Sequence, residues 1–379
     1  MKLCSRVVAA VLFTIVLAAG KTQAQKKNSY AETLVLHGKI YTASSKQPWA
    51  EALAIRGDRI VAVVSDAEMA KLQSENTQVI DAKGRLVLPG FTDCHVHFID
   101  GSFSLGRVNL EGAKDAADIQ WRLRKYGVAH PGEGWILGRG WNYAMFPSSL
   151  PDKKILDEVF LDRPAFLEGY DGHTYWANSK ALELAHITKD TPNPPNGVIV
   201  RDPQNGEATG ALKEAAQALV AAVVPKPTRG EKPRALRAGI HWANLNGLTR
   251  VHSAGGDFEE FDLYDELLRH GDLTLRFYVA YFQNPSQLRP QDIAAIENTG
   301  KKYTGDWLAA GAVKFMIDRV VESHTAAMLQ PYSDDASFQG KPFWEQEKYK
   351  SAIAELDRRP ADIYSRHRRF GYAHGSRRV

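Results

Sequence analysis

After residue 230 the chain alternates regularly between helix-like and strand-like segments, and that rhythm limits the folds open to it. "KPRALRAGIHWANLNG" runs into "LTRVHSAG", "FEEFDLYDELLRHG" into "LTLRFYVAYF", and "QDIAAIENTG" into "LAAGAVKFMID". Strands joined through helices lie parallel, because each helix carries the chain back to the end where the previous strand began. An earlier apolar run, "FTDCHVHFI", follows the break at Pro89-Gly90 and lacks polar alternation. That predicts a strand buried on both faces of the same sheet. Counted with it, the chain offers four β/α steps, half of an eight-fold α/β barrel.

The remainder reads differently. "TLVLHGKIYTA", "EALAIRGDRIVAVV" and "TQVIDAKGRLVLPG" carry β-branched alternation broken by Gly-Asp and Lys-Gly turns, which predicts a small β-sandwich over 25–89. Residues 102–230 are mixed, rich in Gly, Pro and aromatics, with helices expected over "LPDKKILDEVF" and "GALKEAAQALVAAVV". A last helix is expected over "YKSAIAELDRR".

With 379 residues, 44% of them apolar and 24% charged, the chain can bury a substantial core in one large domain or two, which excludes disordered and collagen-like classes. Lys2 and Arg6 precede an uncharged apolar stretch, 7–19, and then "GKTQAQ". This is the pattern of a secretory signal over 1–24, cleaved after Ala24, and the apolar run is shorter than the ~20 residues of a membrane span. The expectation is an exported protein, periplasmic or secreted, with no membrane partner after cleavage. Cys4 falls in the signal, so Cys94 is the lone cysteine of the mature chain and, in a strand, points away from its histidine neighbours to pack as a small apolar residue. The formal charge of +4 is concentrated at the ends: residues 1–24 carry +3 and residues 360–379 carry +4, which leaves −3 on 25–359. No basic binding surface follows from it.

His95 and His97 stand two apart in "DCHVHF". In a strand, residues i and i+2 face the same way, so both imidazoles could grip one cation, although such a pair also arises by chance. Lys314, inside the apolar strand "AAGAVKFMID", sharpens the question, because a buried ammonium is costly unless neutralised or paired. It could snorkel from a strand end, pair with Asp318, or take up CO2 to become a carbamate that bridges metal ions.

"VIDAKGRLVLPGFTDCHVHF", "DGHTYWANSKAL", "GVIVRDPQNGEATGALKEAAQALV", "GLTRVHSAGG" and "VKFMIDRVVESHTAAMLQPY" together resemble the amidohydrolase-3 family, and within it the branch like N-substituted formamide deformylase. The resemblance covers about 33–359 in order. It implies a composite β-sandwich beside a metal-dependent (β/α)8 barrel, here with about the first four β/α units. It also implies hydrolysis of non-peptide C–N bonds in a small amide-type substrate. The implied cofactor is a divalent metal, zinc in most such enzymes, which acidifies a bound water and polarises the scissile carbonyl. His95 and His97 match the first-strand ligands and Lys314 the fourth-strand lysine often found carboxylated. The barrel domain would run over 90–359, with 102–230 as an insertion capping the pocket. Asp171, Gly172, His173, Trp176 and Asn178 match a signature close to the substrate, or else form a turn with buried aromatic packing. His252 matches a second-strand position near the site, or else is a core histidine bonded to backbone. Trp135, Trp141, Tyr143 and Trp176 suit an aromatic N-substituent as well as ordinary packing. Arg319 departs from the family, where a glycine follows Asp318.

The family pattern also needs histidines on strands five and six and an aspartate on strand eight as general base; the sequence supplies none, so no catalytic residue is assigned. From residue 360 the text becomes "PADIYSRHRRFGYAHGSRRV". One permitted back-translation of residues 359–373, read one nucleotide along, spells GPQIFTHAIGDSAT, which resembles the missing fifth strand. The expectation is a frameshift near codon 359, an out-of-frame tail over 360–379, and a poorly folded, inactive product in which His367 and His374 are not ligands. A natural basic extension is the alternative. Two other readings stand beside the hydrolase: a non-catalytic half-barrel serving binding or complementation, and nucleic-acid binding through the arginines of the tail. The second lacks any other basic patch, so no nucleic acid is expected. A homo-oligomer is left open.

Overall fold

The structure, a computed structural model, describes residues 30–132, 134–146, 150–283, 288–318, 321, 326–333 and 339–358. The signal-like segment 1–24, Arg319 and the tail 360–379 lie outside the described residues. The chain divides into two compact units between Phe91 and Thr92.

The first unit is β structure. A four-stranded sheet is built on β1 (Thr33–Leu36), which pairs antiparallel with β4 (Ala52–Arg56) and parallel with β6 (Gln78–Asp81). β5 (Arg59–Val64) closes a hairpin on β4. Gly57 occupies the turn at φ 57°, a left-handed backbone that glycine adopts without strain. β2 (Lys39–Tyr41), β3 (Trp49–Ala50) and β7 (Leu86–Val87) form a second, three-stranded sheet. The short helix α1 (Asp66–Met69) lays Met69 against Leu34, Ala52 and Ala54.

The second unit holds two sheets. The first contains β8 (Phe91–Val96), β15 (Leu248–Gly256), β16 (Arg276–Gln283) and β17 (Leu308–Phe315), in the spatial order β17-β16-β15-β8. β15, β16 and β17 run parallel, joined by helices α8 (Phe258–Arg269) and α9 (Pro290–Lys302). Strand order follows chain order, the winding that helical crossovers of one hand produce. Val251, Phe277, Val279 and Leu308 from the strands bury against Leu236, Ile240, Phe261 and Leu267 from the helices. Each helix starts where its chemistry dictates. Asp257 caps α8 by accepting the Glu260 N–H, and Pro290 sits in the first turn of α9, where its missing N–H costs nothing.

β8 corrects one expectation. It is largely exposed, Cys94 with it, rather than buried on both faces. The reason is its place at the edge of the sheet, with β15 as its one neighbour among the described residues. An apolar run marks the side chains a strand could bury without saying whether a second neighbour is there to bury them.

Between β8 and β15 lies the inserted segment that the sequence reads as a cap, hereafter the cap. Its six-stranded sheet has the order β13-β14-β12-β11-β10-β9, with β9 at Val108–Asn109, β10 at Ile136–Trp141, β11 at Ala165–Gly169, β12 at Thr174–Ala177, β13 at Gly197–Arg201 and β14 at Ala208–Glu214. Alternate residues feed two cores: Ala165, Leu167 and Trp176 join one, Phe166, Tyr175 and Ala177 the other. The helix expected over 210–224 is a second correction. Residues 208–214 are strand, hydrogen-bonded to β12 on one side and β13 on the other, and helix is confined to Gln217–Ala221. Pairing on both edges outweighs the few tenths of a kcal/mol by which Ala, Leu, Lys and Glu favour helix. Gly210 suits the strand form, since φ is 101° and a Cβ there would collide with the Ala177 carbonyl oxygen. The helix in 150–160 is likewise short, Lys153–Asp157.

The two ends of the cap meet where helix Phe98–Ser104 packs on helix Glu231–Leu245. Gly239 permits that approach: a Cβ there would fall 2.1 Å from Ser102 Oγ and 2.9 Å from Ser102 Cβ. Gly239→Ala is therefore expected to destabilise. Overpacking costs about 1–3 kcal/mol, against the ~1 kcal/mol that Ala adds to a helix interior, for a net loss of up to ~2 kcal/mol. Urea unfolding reads the difference; an unchanged midpoint would mean that the helices slide apart freely.

Candidate metal centre

His95 lies near the end of β8, and His97 just beyond it, at φ −97° and ψ 84°, as the residue from which helix Phe98–Ser104 starts. The strand stops at Val96, so the two histidines are not both strand residues as the i, i+2 spacing predicted. Their rings are nonetheless neighbours, with centroids 5.8 Å apart and planes at 62°.

Lys314 arrives from the opposite edge of the sheet. Its Nζ lies 3.3 Å from His97 Nε2 and donates to the Ala254 carbonyl at 3.1 Å. Flat, β17 and β8 would stand ~14 Å apart, three strand spacings, so nitrogen-to-nitrogen contact across that span needs the sheet to curl. Asp318 is otherwise engaged, accepting the Ala327 N–H at 3.1 Å. His252, on β15, turns its ring edge to Tyr278 at 4.9 Å, and its Nε2 is buried with no hydrogen-bond partner among the described residues.

Electrostatics ties the four together. Burial, then the Lys314 charge, hold His97 below the ordinary histidine range, with Asp100 opposing. Burial, then His95 and Lys314, lower His252. Burial lowers Lys314. Each shift favours the neutral form, and neutral imidazole is the form that binds metal. Two adjacent imidazoles, a lysine amine facing one of them, and an orphaned ring nitrogen fit part of a divalent-metal ligand set. Among the described residues no three His, Cys, Asp or Glu side chains converge on one point, so the histidines alone do not complete a shell.

What makes room for this arrangement is a β-bulge. Ala254 pairs with Ala280 and Gly256 with Tyr281, which leaves Gly255 as the extra residue, at φ 131°. Sequence reasoning passed over Gly255 and the Ala254 carbonyl; the Gly-Gly pair ending a strand was the signal for them.

The cap signature separates into two groups. Asp171 and His173 lie on an accessible turn. Asp171 accepts the His173 N–H at 3.0 Å and the Tyr143 hydroxyl at 3.1 Å, and His173 Nδ1 meets Glu214 Oε1 at 3.0 Å. Gly172, at φ 74°, makes the turn. Trp176 and Asn178 are 0% exposed, as is Trp141. Trp176 packs between Trp141 and Phe146. Asn178 spends all four of its hydrogen bonds inside the cap. Of the two readings open for these residues, buried packing describes Trp141, Trp176 and Asn178, while Asp171 and His173 remain available to a ligand. Glu214 and the Tyr143 hydroxyl complete the turn. Glu214 was hidden in the sequence because "LKEAA" reads as helix.

Comparison with known proteins places the chain. The amidohydrolase-3 model, described as the amidohydrolase family, matches residues 78–365. Protein LONG AFTER FAR-RED 3 of Arabidopsis thaliana is 30% identical over 338 residues, which is 86% of this chain and 57% of that protein. The putative amidohydrolase YtcJ of Bacillus subtilis is 30% identical over 313 residues, 80% of this chain and 57% of that one. The N-substituted formamide deformylase of Arthrobacter pascens is 29% identical over 192 residues, 50% and 35% of the two chains. This chain thus spans little more than half the length of the first two relatives. Among solved structures, an uncharacterised metal-dependent hydrolase of Pyrococcus horikoshii superposes with a TM-score of 0.64 at 23% identity, over 86% of this chain and 62% of that one. The likeness at that identity is one of fold, and it agrees with the sheets and crossovers described above. With three quarters of its length matched by one family model, and the paired histidines and strand lysine inside the match, the chain belongs to the amidohydrolase family.

Proposed function

We propose that this chain carries part of the active site of a metal-dependent hydrolase of non-peptide C–N bonds, in substrates of amide or N-substituted formamide type. The observation that carries the reading is the meeting of Lys314 with His97, 3.3 Å apart, from opposite edges of one sheet. The curl this requires supports the first half of a (β/α)8 barrel as the setting. His95 and His97 would hold a divalent ion, zinc by resemblance, with Lys314 as a third contact, as the amine or after CO2 uptake as its carbamate. When bound, the metal supplies an acidified water and a polarised carbonyl. The residues of the chain do the rest. The His252 ring lies close enough to His95 and Lys314 to feel both charges. In the cap, Glu214 holds the His173 ring and Asp171 its backbone, so that His173 and the Tyr143 hydroxyl can meet the substrate.

Zinc titration calorimetry tests the reading. His97→Ala and Lys314→Ala are each expected to weaken Zn2+ binding by at least about tenfold, since each removes a ligand or its hydrogen-bonded neighbour. Wild-type affinity in both variants would place any bound zinc elsewhere and end the proposal.

A further inference from the structure

We propose that Gly255 is a positioning residue for the metal site: the bulge it forms at the end of β15 sets the distance between His97 and Lys314. The inference rests on the metal-site reading and adds to it a residue that ligates nothing. A Cβ built on Gly255 would lie 3.3 Å from His97 Cε1, which must then shift by a few tenths of an ångström, and in ordinary van der Waals contact with His97 Nδ1 at 3.6 Å and Lys314 Cδ at 3.8 Å. The first of these contacts is tighter than packed atoms accept without moving. The same bulge shifts the register between Ala254 and Gly256, and the Ala254 carbonyl accepts from Lys314 Nζ at 3.1 Å. The backbone at φ 131° is one that side-chain-bearing residues rarely adopt.

The test separates positioning from backbone strain. Gly255→Ala is expected to weaken Zn2+ binding about 10- to 100-fold, the scale of losing a neighbour that orients a ligand. Gly271→Ala is the control, because Gly271 also has a positive φ, 77°, yet has nothing within 4 Å of its Cβ position. It should lower Tm and leave zinc affinity unchanged. In a His97→Ala background, Gly255→Ala should have no further effect on zinc affinity. That background should also restore folding if the ring clash destabilises the single variant.

A metal-free readout distinguishes failure of this proposal from failure of the reading beneath it. Reductive methylation of Lys314, followed by peptide mass spectrometry, should proceed several-fold faster in Gly255→Ala than in wild type or Gly271→Ala, because a displaced His97 no longer shields the amine. If wild type binds no zinc but the methylation rates differ as stated, the metal reading fails and the positioning role stands. Unchanged methylation in Gly255→Ala overturns the positioning role, as does equal loss of zinc affinity in Gly271→Ala. Failure of Gly255→Ala to fold even without the His97 ring would reduce the glycine to backbone strain and overturn it too.

Discussion

Asn178→Ala is expected to cost about 3–5 kcal/mol of folding stability, a loss at the upper end for a single side chain. The Asn178 carbonyl oxygen accepts from the Ala165 and Ala181 N–H groups at 2.9 and 3.0 Å, and its amide donates to the Phe160 and Arg163 carbonyls, both at 2.8 Å. An asparagine has capacity for four such bonds, and all four are made to backbone with none of the residue exposed. Alanine would strand two donors and two acceptors, each worth ~1–3 kcal/mol when left buried and unmet, while entering water recovers part of the loss. It would also strip the N-cap from helix Ser179–Leu184. Tryptophan fluorescence during urea unfolding would follow it, since Trp141 and Trp176 sit in the adjoining core. A midpoint within a few tenths molar of wild type would show that Asn178 does not hold the cap together and would revive its reading as a substrate contact.

The second large effect depends on pH. Glu260, in the first turn of α8, is pushed up to about 7, chiefly by burial, with the charges of Asp257 and Asp100 adding to it. The Tyr264 hydroxyl, donating at 3.1 Å, and the Asp257 contact pull the other way and lose. In the unfolded chain the same carboxyl releases its proton near its ordinary value of 4.5. Between those two values the folded state binds more protons, so stability is full below pH 4.5 and is lost as pH rises through 7. A shift of this size corresponds to about 3 kcal/mol. Glu260→Gln, which cannot ionise, should equal wild type at pH 4.5 and be more stable by up to ~3 kcal/mol at pH 8. Urea unfolding of both proteins across that range checks it. Parallel curves would mean that Glu260 is ionised throughout.

The two predictions draw on residues that the sequence treats very differently. Asn178 is visible in "WANSKAL" as a helix cap, yet nothing in those letters says that its other bonds reach back to residues 160–165. Glu260 looks like any polar residue on an amphipathic helix, and only the packing of α8 over the end of β15 buries it. The β/α rhythm after residue 230 was legible because period and length are local properties: β15, β16 and β17 fall on "LTRVHSAG", "LTLRFYVAYF" and "LAAGAVKFMID". β14 was not legible, because its strand form comes from neighbours at β12 and β13 distant in sequence. His95, His97 and Lys314 could be named from residue type, but their meeting depends on sheet curvature, which no short window of sequence encodes. Trp176 was ambiguous for a related reason: an aromatic in a signature can line a pocket or fill a core, and only its neighbours decide.

The insertion of the cap between β8 and β15 has a consequence for the order in which this chain can acquire structure. Two adjacent strands of one sheet are separated by roughly 150 residues, and closing so long a loop from a random coil costs ~4 kcal/mol of chain entropy. The cap has its own two cores and its own sheet, so it can collapse independently and bring its ends together first. Helices Phe98–Ser104 and Glu231–Leu245, clasped at Gly239, then act as the buckle that turns a distant encounter into a local one. Folding of the sheet that carries His97 is thereby made contingent on a module that contributes none of its strands.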